Sequence, residues 1–301
     1  MRICDEEIKI QGRLVRIAFL DGDQYNFAED PEAVLDGLRK CGRRVDLFTF
    51  VERLPAAEPK YSYPMEWDNL AALPVSTFDH WWMQQIGFKA RNKAKQAGKK
   101  GVTFRETPFS DGLVKGICEI YNECPVRQGT PFPHYGMTLE RGRQYAGTFL
   151  DRSIYIGAFL GDRMIGFVKL SHDKTKTQAN LVHVLSMVRH RDKAPTNALI
   201  AQAVRACAER GISYLVYEKF AYGNKQGDSL SQFKEGSGFR RFDVPRYYVP
   251  LTLIGRAALR FGVHHRLSDR LPESVVARLR QLRKAWYERR FQAVTPQSIG
   301  N

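Results

Sequence analysis

Arg189, Arg191 and Lys193 stand just ahead of a segment whose apolar residues, Ile200, Ala203, Val204 and Cys207, recur at helical spacing. Thr196 is suited to cap that helix and Gly211 to end it. A helix N-terminus offers unpaired N–H groups and a partial positive charge, so it attracts phosphate, and neighbouring cations add full charges to the same place. The chemistry indicated is recognition of a phosphate-bearing ligand, with Thr196 and Asn197 in the first turn. A plain connecting loop that shows its cations to water has the same composition. Further groups able to do chemistry lie at Tyr217, Glu218, Lys219, Tyr222 and Asn224, and at Arg127, His134 and Tyr135 among prolines and glycines. A cation, an imidazole and a phenol on one rigid loop suit either a binding site or loop packing. Cys4, Cys41, Cys118, Cys124 and Cys207 are irregularly spaced with no C-x-x-C pair. Neither a disulfide framework nor a thiolate metal site is indicated, and no metal is expected.

These residues need a scaffold of strands and helices. Residues 154–160 and 164–170 read as a hairpin closed at Gly161-Asp162, followed by a strand over 181–188, the helix opening at Thr196, and a strand over 212–217. A short helix from Asp228 then runs into FKEGSGF (233–239), which contains Lys234, and a last strand follows. Upstream, 8–19 suggests two short strands, 30–38 a helix opened by Asp30-Pro31, and 45–50 another strand. The proline-broken stretch 54–74 reads as a loop that packs Tyr61, Tyr63 and Trp67. Residues 77–96 read as a helix with a basic end (Lys89, Arg91, Lys93, Lys95, Lys99, Lys100), either solvated or a ridge for polyphosphate or RNA. Residues 111–124 form a further amphipathic helix, and 251–291 is mostly helical and strongly basic.

With 301 residues and 43% hydrophobic content, the chain can bury a full core. Its formal net charge of +15 favours anionic partners: nucleic acid, an anionic membrane face, or a phosphate-rich substrate. No apolar run reaches the roughly 20 residues that span a bilayer. The expectation is a reduced, cytoplasmic protein, either free or peripheral to the inner face of the membrane.

The order hairpin, strand, helix, strand, short helix, strand resembles the GNAT superfamily. More narrowly, FKEGSGF is similar to the FK…GF signature of Fem-type peptidyltransferases and related acetyltransferase-like proteins of cell-envelope and exopolysaccharide loci. RNKAKQAGKKGVTFRE (91–106) resembles the basic helix and strand that open their acyltransferase halves. The resemblance implies an α/β (α+β) fold, a mixed, mostly antiparallel sheet flanked by helices. It divides the chain into an N-terminal lobe (1–87), an acyltransferase domain (88–250) and a basic helical extension (251–301). The first lobe is then either a degenerate GNAT-like half or an unrelated α/β unit.

The resemblance also implies a mechanism. An amine of the acceptor attacks the activated carbonyl of a donor held where the strand ending at Ser186, Met187 and Val188 splays from its neighbour, with backbone N–H groups polarising the carbonyl. Glu218 or His134 is the candidate base, and Tyr217 or Tyr222 the candidate acid for the leaving group. Arg189, Arg191, Lys193, Thr196, Asn197, Asn224 and Lys234 are the candidate donor contacts. The donor is a co-substrate, acyl-CoA or aminoacyl-tRNA, with no tightly bound cofactor. One departure bears on that choice: Ala194 and Thr196 stand where the family's donor loop has small residues, and Pro195 lacks an N–H. The rival reading is a non-catalytic protein of this fold that binds RNA or an anionic membrane surface.

Overall fold

The computed structural model describes residues 1–265, apart from 24, 57, 128–129 and 222–228, together with 278. The chain opens on β1 (Arg2–Ile3) and β2 (Glu6–Gln11), where Glu6 and Ile8 face in while Glu7 and Lys9 face out. β3 (Ile17–Leu20) returns antiparallel on β2. α1 (Pro31–Lys40) begins where the Asp30 carboxylate accepts the Ala33 N–H at 3.1 Å; it buries Val34, Leu35 and Leu38, and its terminal Arg39 and Lys40 complement the helix dipole. β4 (Leu47–Val51) is buried at every position, as a strand inside a covered sheet requires.

β5 (Met65–Pro74) corrects the loop expected over 54–74. The prolines that argue for a loop fall before Met65 or at the strand's last residue, and Leu70 to Leu73 are buried side by side. Tyr61 and Tyr63 do pack as anticipated, Tyr61 lying 5.5 Å from Phe50 and 5.2 Å from Tyr247 between ring centres, whereas Trp67, expected to pack with them, is exposed on β5. The single helix expected over 77–96 is two. α2 (Phe78–His80) passes into a π turn at Trp81–Gln85, extended Gly87 breaks the run, and α3 (Phe88–Lys99) follows.

Next come β6 (Val102–Glu106), α4 (Asp111–Tyr121), the two-residue strands β7 (Val126–Arg127) and β8 (Thr130–Pro131), and α5 (Leu139–Ala146). The hairpin read from the sequence is β9 (Ser153–Leu160) and β10 (Arg163–His172), with Gly161 at φ +58° in its turn. β11 (Gln178–Ser186), α6 (Pro195–Glu209), β12 (Tyr214–Lys219), α7 (Ser229–Gly236), β13 (Arg240–Pro250) and α8 (Leu253–Arg260) complete the described elements. Of the basic segment 251–291, α8 is the described helix; most of the remainder lies outside the described residues. No helix among the described residues is long and apolar enough to cross a membrane.

Eleven strands form one sheet in the order β1-β2-β3-β4-β13-β5-β12-β11-β10-β9-β6. It is mostly antiparallel, with β3–β4 and β11–β12 parallel. β13 is the seam, pairing with β4 on one side and β5 on the other, so early and late parts of the chain share a single sheet. The largest core lies where α3, α4 and α6 cover β9–β12; a second joins α1 to β2–β4 and Tyr247. FKEGSGF is built into the first. Trp81 is fully buried and its indole N–H donates to Ser237 O at 2.9 Å. Gly238 takes φ +92° against the π turn, where a Cβ would lie 3.1 Å from Gln85 O.

Candidate active site

β11 and β12 pair only over Gln178–Asn180 and Tyr214–Val216, and then diverge. Both strands are bulged at the divergence. In β11, His183 faces Lys169 and Leu181 faces Leu170, which leaves Val182 as the extra residue. In β12 the register slips between Val216 and Lys219, and Glu218 takes φ +49°. Such backbone costs a non-glycine residue about 1–2 kcal/mol, so its neighbours must hold it. One of them is Lys234, fully buried, whose ammonium donates to Lys219 O at 2.5 Å and lies 4.8 Å from the Tyr217 ring centre.

A group of rings from three other elements gathers beside the wedge. His134, in the loop before α5, stacks on Tyr121 at 4.8 Å and meets Tyr145 of α5 at 4.9 Å. Tyr145 in turn meets His183 of β11 at 4.8 Å, and its hydroxyl lies 3.5 Å from His134 Nε2. Burial pulls the His134 imidazole below its ordinary range, so it is neutral at pH 7 and able to accept a proton. His183 is pulled down to about 3, by burial first and then by the Lys169 ammonium and His134. Burial and the charge of Glu218 raise the Tyr145 phenol, which therefore keeps its proton at neutral pH.

Lys169 underpins this group. It is fully buried, opposite His183 on β10, and its ammonium donates to Ala146 O (2.8 Å), Thr148 O (2.7 Å) and Thr148 Oγ1 (2.7 Å). Ala146 O is the last carbonyl of α5 and Thr148 lies just past its cap, so Lys169 fixes the C-terminal end of the helix that carries Tyr145. Burial lowers its own pKa to about 8.

The cationic loop lies at the end of β11. Residues Val188–Lys193 form a 3₁₀ turn, and α6 opens at Pro195, not at Thr196. The fixed φ of proline suits the first helical position, so the boundary moves one residue earlier and Ala194 becomes the N-cap, with no side-chain cap. Thr196 Oγ1 instead shares a hydrogen bond with Ser186 Oγ at 2.8 Å, while Asn197 is half-buried in the first turn. Ala194 sits at φ +50°, backbone that a glycine would supply without strain. Ala194→Gly is therefore expected to raise stability by about 1 kcal/mol in urea denaturation, with no change at an unstrained control site.

The expected use of backbone N–H groups at Met187 and Val188 is corrected. Met187 is buried and donates to Ile165 O at 2.8 Å, whereas Val188 and Arg189 donate to Glu123 Oε2 and Oε1 at 2.6 and 3.1 Å. The loop's side chains are differently placed. Arg191 is exposed, and Lys193 lies 3.3 Å from exposed Asp192. Gln96 and Lys100 of the basic helix end both reach Asp192 O, at 3.0 and 2.8 Å, which sets that ridge against the loop.

Among the other candidates, Tyr217 is packed against Phe239 (5.9 Å) and Phe233 (6.5 Å), and burial pushes its phenol up to about 12. Lys234 is a buried strut, while Tyr135 is exposed. Tyr222 and Asn224 lie outside the described residues. Sequence reasoning missed Tyr145, His183, Lys169 and Glu123. His183 and Lys169 left a trace, each a lone polar residue inside an apolar strand (LVHVL, GFVKLS); Tyr145 and Glu123 left none.

Solved structures resemble this arrangement over most of its length. FemX aligns at TM-score 0.57 with 10% identity, over 79% of this chain and 82% of its own. The L-PGS of Bacillus licheniformis aligns at 0.56 with 12% identity, over 86% of each chain. The fold is like that of FemX and of L-PGS. A C-terminal domain assigned to a lysylphosphatidylglycerol synthetase of Agrobacterium fabrum aligns at 0.53 with 13% identity, over 87% of each chain. No protein-family model matches the sequence, and no curated protein does. The cationic loop follows directly on β11, whose pairing with β12 ends at Asn180.

Proposed function

We propose that the chain is an N-acyltransferase that moves an acyl or aminoacyl group from a phosphate-bearing activated donor, acyl-CoA or aminoacyl-tRNA, to an amine of a cell-envelope, polysaccharide or small-molecule acceptor. The observation that carries this reading is the neutral His134, hydrogen-bond range from the Tyr145 hydroxyl, beside strands that part at Asn180 and Val216. The acceptor nitrogen attacks the donor carbonyl carbon, forming the C–N bond as the C–O or C–S bond to the carrier breaks. His134 takes the amine proton. Tyr145 gives its proton to the departing oxygen or sulfur and is reprotonated from His134, so the step balances without another reagent. Glu218 faces Tyr145 electrostatically and favours the protonated phenol. In this scheme Tyr145 takes the acid role first considered for Tyr217 and Tyr222.

Arg191 and Lys193 hold the donor's phosphates, with the basic end of α3 extending the same positive surface. The names FemX and lysylphosphatidylglycerol synthetase among the structural neighbours favour an acceptor at the cell envelope. Residues 1–87 then serve as a lobe that completes the sheet, and 251–301 as a basic extension able to rest on an anionic membrane.

Replacing Arg191 and Lys193 together with Ala is expected to weaken donor binding by about tenfold or more, with the thermal midpoint within about 2 °C of wild type because Arg191 is exposed and the ion pair of Lys193 is with an exposed carboxylate, Asp192. Titration calorimetry with the donor checks it. Unchanged affinity sinks the phosphate site.

A further inference from the structure

Glu123 follows α4, and its side chain is 10% exposed. Its two oxygens take two successive main-chain N–H groups of the donor loop, Val188 at 2.6 Å and Arg189 at 3.1 Å. The guanidinium groups of Arg127 and Arg189 flank it at 3.5 and 3.6 Å. Arg127 is itself pinned, donating to Ile120 O at 2.6 Å and to Ser186 O at 2.9 Å. Consecutive amides with flanking cations make an anion cradle. Here the anion is part of the chain.

A donor phosphate that sought those amides would have to displace a carboxylate held by charge-assisted hydrogen bonds, and would then face its charge across a low-dielectric contact. The other cations of the loop, exposed Arg191 and partly buried Lys193, which lies 3.3 Å from Asp192, hold no main-chain amide of this pair and are left to meet phosphate. We infer that Glu123 is a specificity-determining residue that excludes a diphosphate from the amides of Val188 and Arg189. The donor is thereby restricted to one that presents separate phosphates to side-chain cations. This rests on the reading of 188–196 as the donor loop, and it narrows that reading: a diphosphate carrier such as coenzyme A is disfavoured by one removable side chain.

The test is calorimetric binding of two compounds to wild type, Glu123→Gln and Glu123→Ala, each first shown by thermal melting to be folded. Coenzyme A carries a diphosphate; adenosine 3′,5′-bisphosphate carries two separate phosphates. Both variants are expected to bind coenzyme A about tenfold tighter than wild type or better, with the bisphosphate changed by less than about threefold. Wild type binding coenzyme A as tightly as a folded Glu123→Ala or Glu123→Gln overturns the inference. An equal gain for both compounds also overturns it, because simple loss of a negative charge then suffices. If coenzyme A affinity is the same in all three forms while bisphosphate binding is lost in Arg191→Ala/Lys193→Ala, the exclusion fails while the donor loop stands. If no form binds either compound, the loop reading fails and the inference falls with it.

Discussion

Lowering the pH from 7 to 4 is expected to remove about 3 kcal/mol of folding stability through His183 alone. In the folded protein its imidazole titrates at about 3, against roughly 6.5 in an unfolded chain, because burial and the Lys169 ammonium oppose its charge. Between those values the unfolded chain binds a proton that the folded one refuses. Stability is therefore complete above about pH 6.5, falls as pH drops, and levels off below about 3. Urea unfolding at several pH values gives the profile, and His183→Asn supplies the reference, since asparagine does not titrate. The wild-type profile is expected to fall about 3 kcal/mol further than the variant's by pH 4. Parallel profiles would show that the imidazole is solvated in the folded state.

The second large effect is on turnover. His134→Gln is expected to lower kcat by about 100- to 1000-fold, the range of a lost general base, with KM for the donor little changed because the donor loop is untouched. Tyr145→Phe is expected to cost about tenfold, since water can replace a leaving-group acid in part. The pH profile separates His134 from Glu218, the other candidate. A base must be unprotonated, and burial holds His134 below its ordinary range, so the acid limb of kcat/KM is expected below pH 6.5 and absent from the residual activity of His134→Gln. An acid limb that persists unchanged in that variant assigns the proton to Glu218.

The sequence made the hairpin of β9 and β10 legible because a Gly-Asp pair sits between two apolar runs, and it made α6 legible through its helical apolar spacing and Gly211. β5 was hidden. Its polar residues Asp68 and Asn69 are spent on Lys219, Arg246 and the Ala221 N–H, partners far along the chain that no local pattern displays. The start of α6 was misplaced by one residue because Thr196 competes with Pro195 as a boundary signal, and the proline's fixed φ prevails.

The candidate site was legible only in part for a related reason. Charge and spacing pointed to Arg189, Arg191 and Lys193, and loop composition to His134. The bulges at Val182 and Glu218 depend on register against neighbouring strands, which is a property of pairs. Tyr145 and Glu123 acquire their roles from a helix and a turn that approach β11 across the fold, Glu123 reaching amides more than sixty positions away. Lys169 and His183 become intelligible together, as cross-strand neighbours whose charges compete.

The most direct measurement of the central claim is intact-mass analysis of acceptors after incubation with the protein and an activated donor. Acetyl-CoA and charged tRNA are offered in parallel to an amine-bearing peptide and an amino sugar. The account predicts an acceptor heavier by one acyl or aminoacyl group, formed with wild type and lost with His134→Gln. Unchanged acceptor masses with every donor, alongside salt-sensitive retention of the protein on RNA or anionic vesicles, would contradict it.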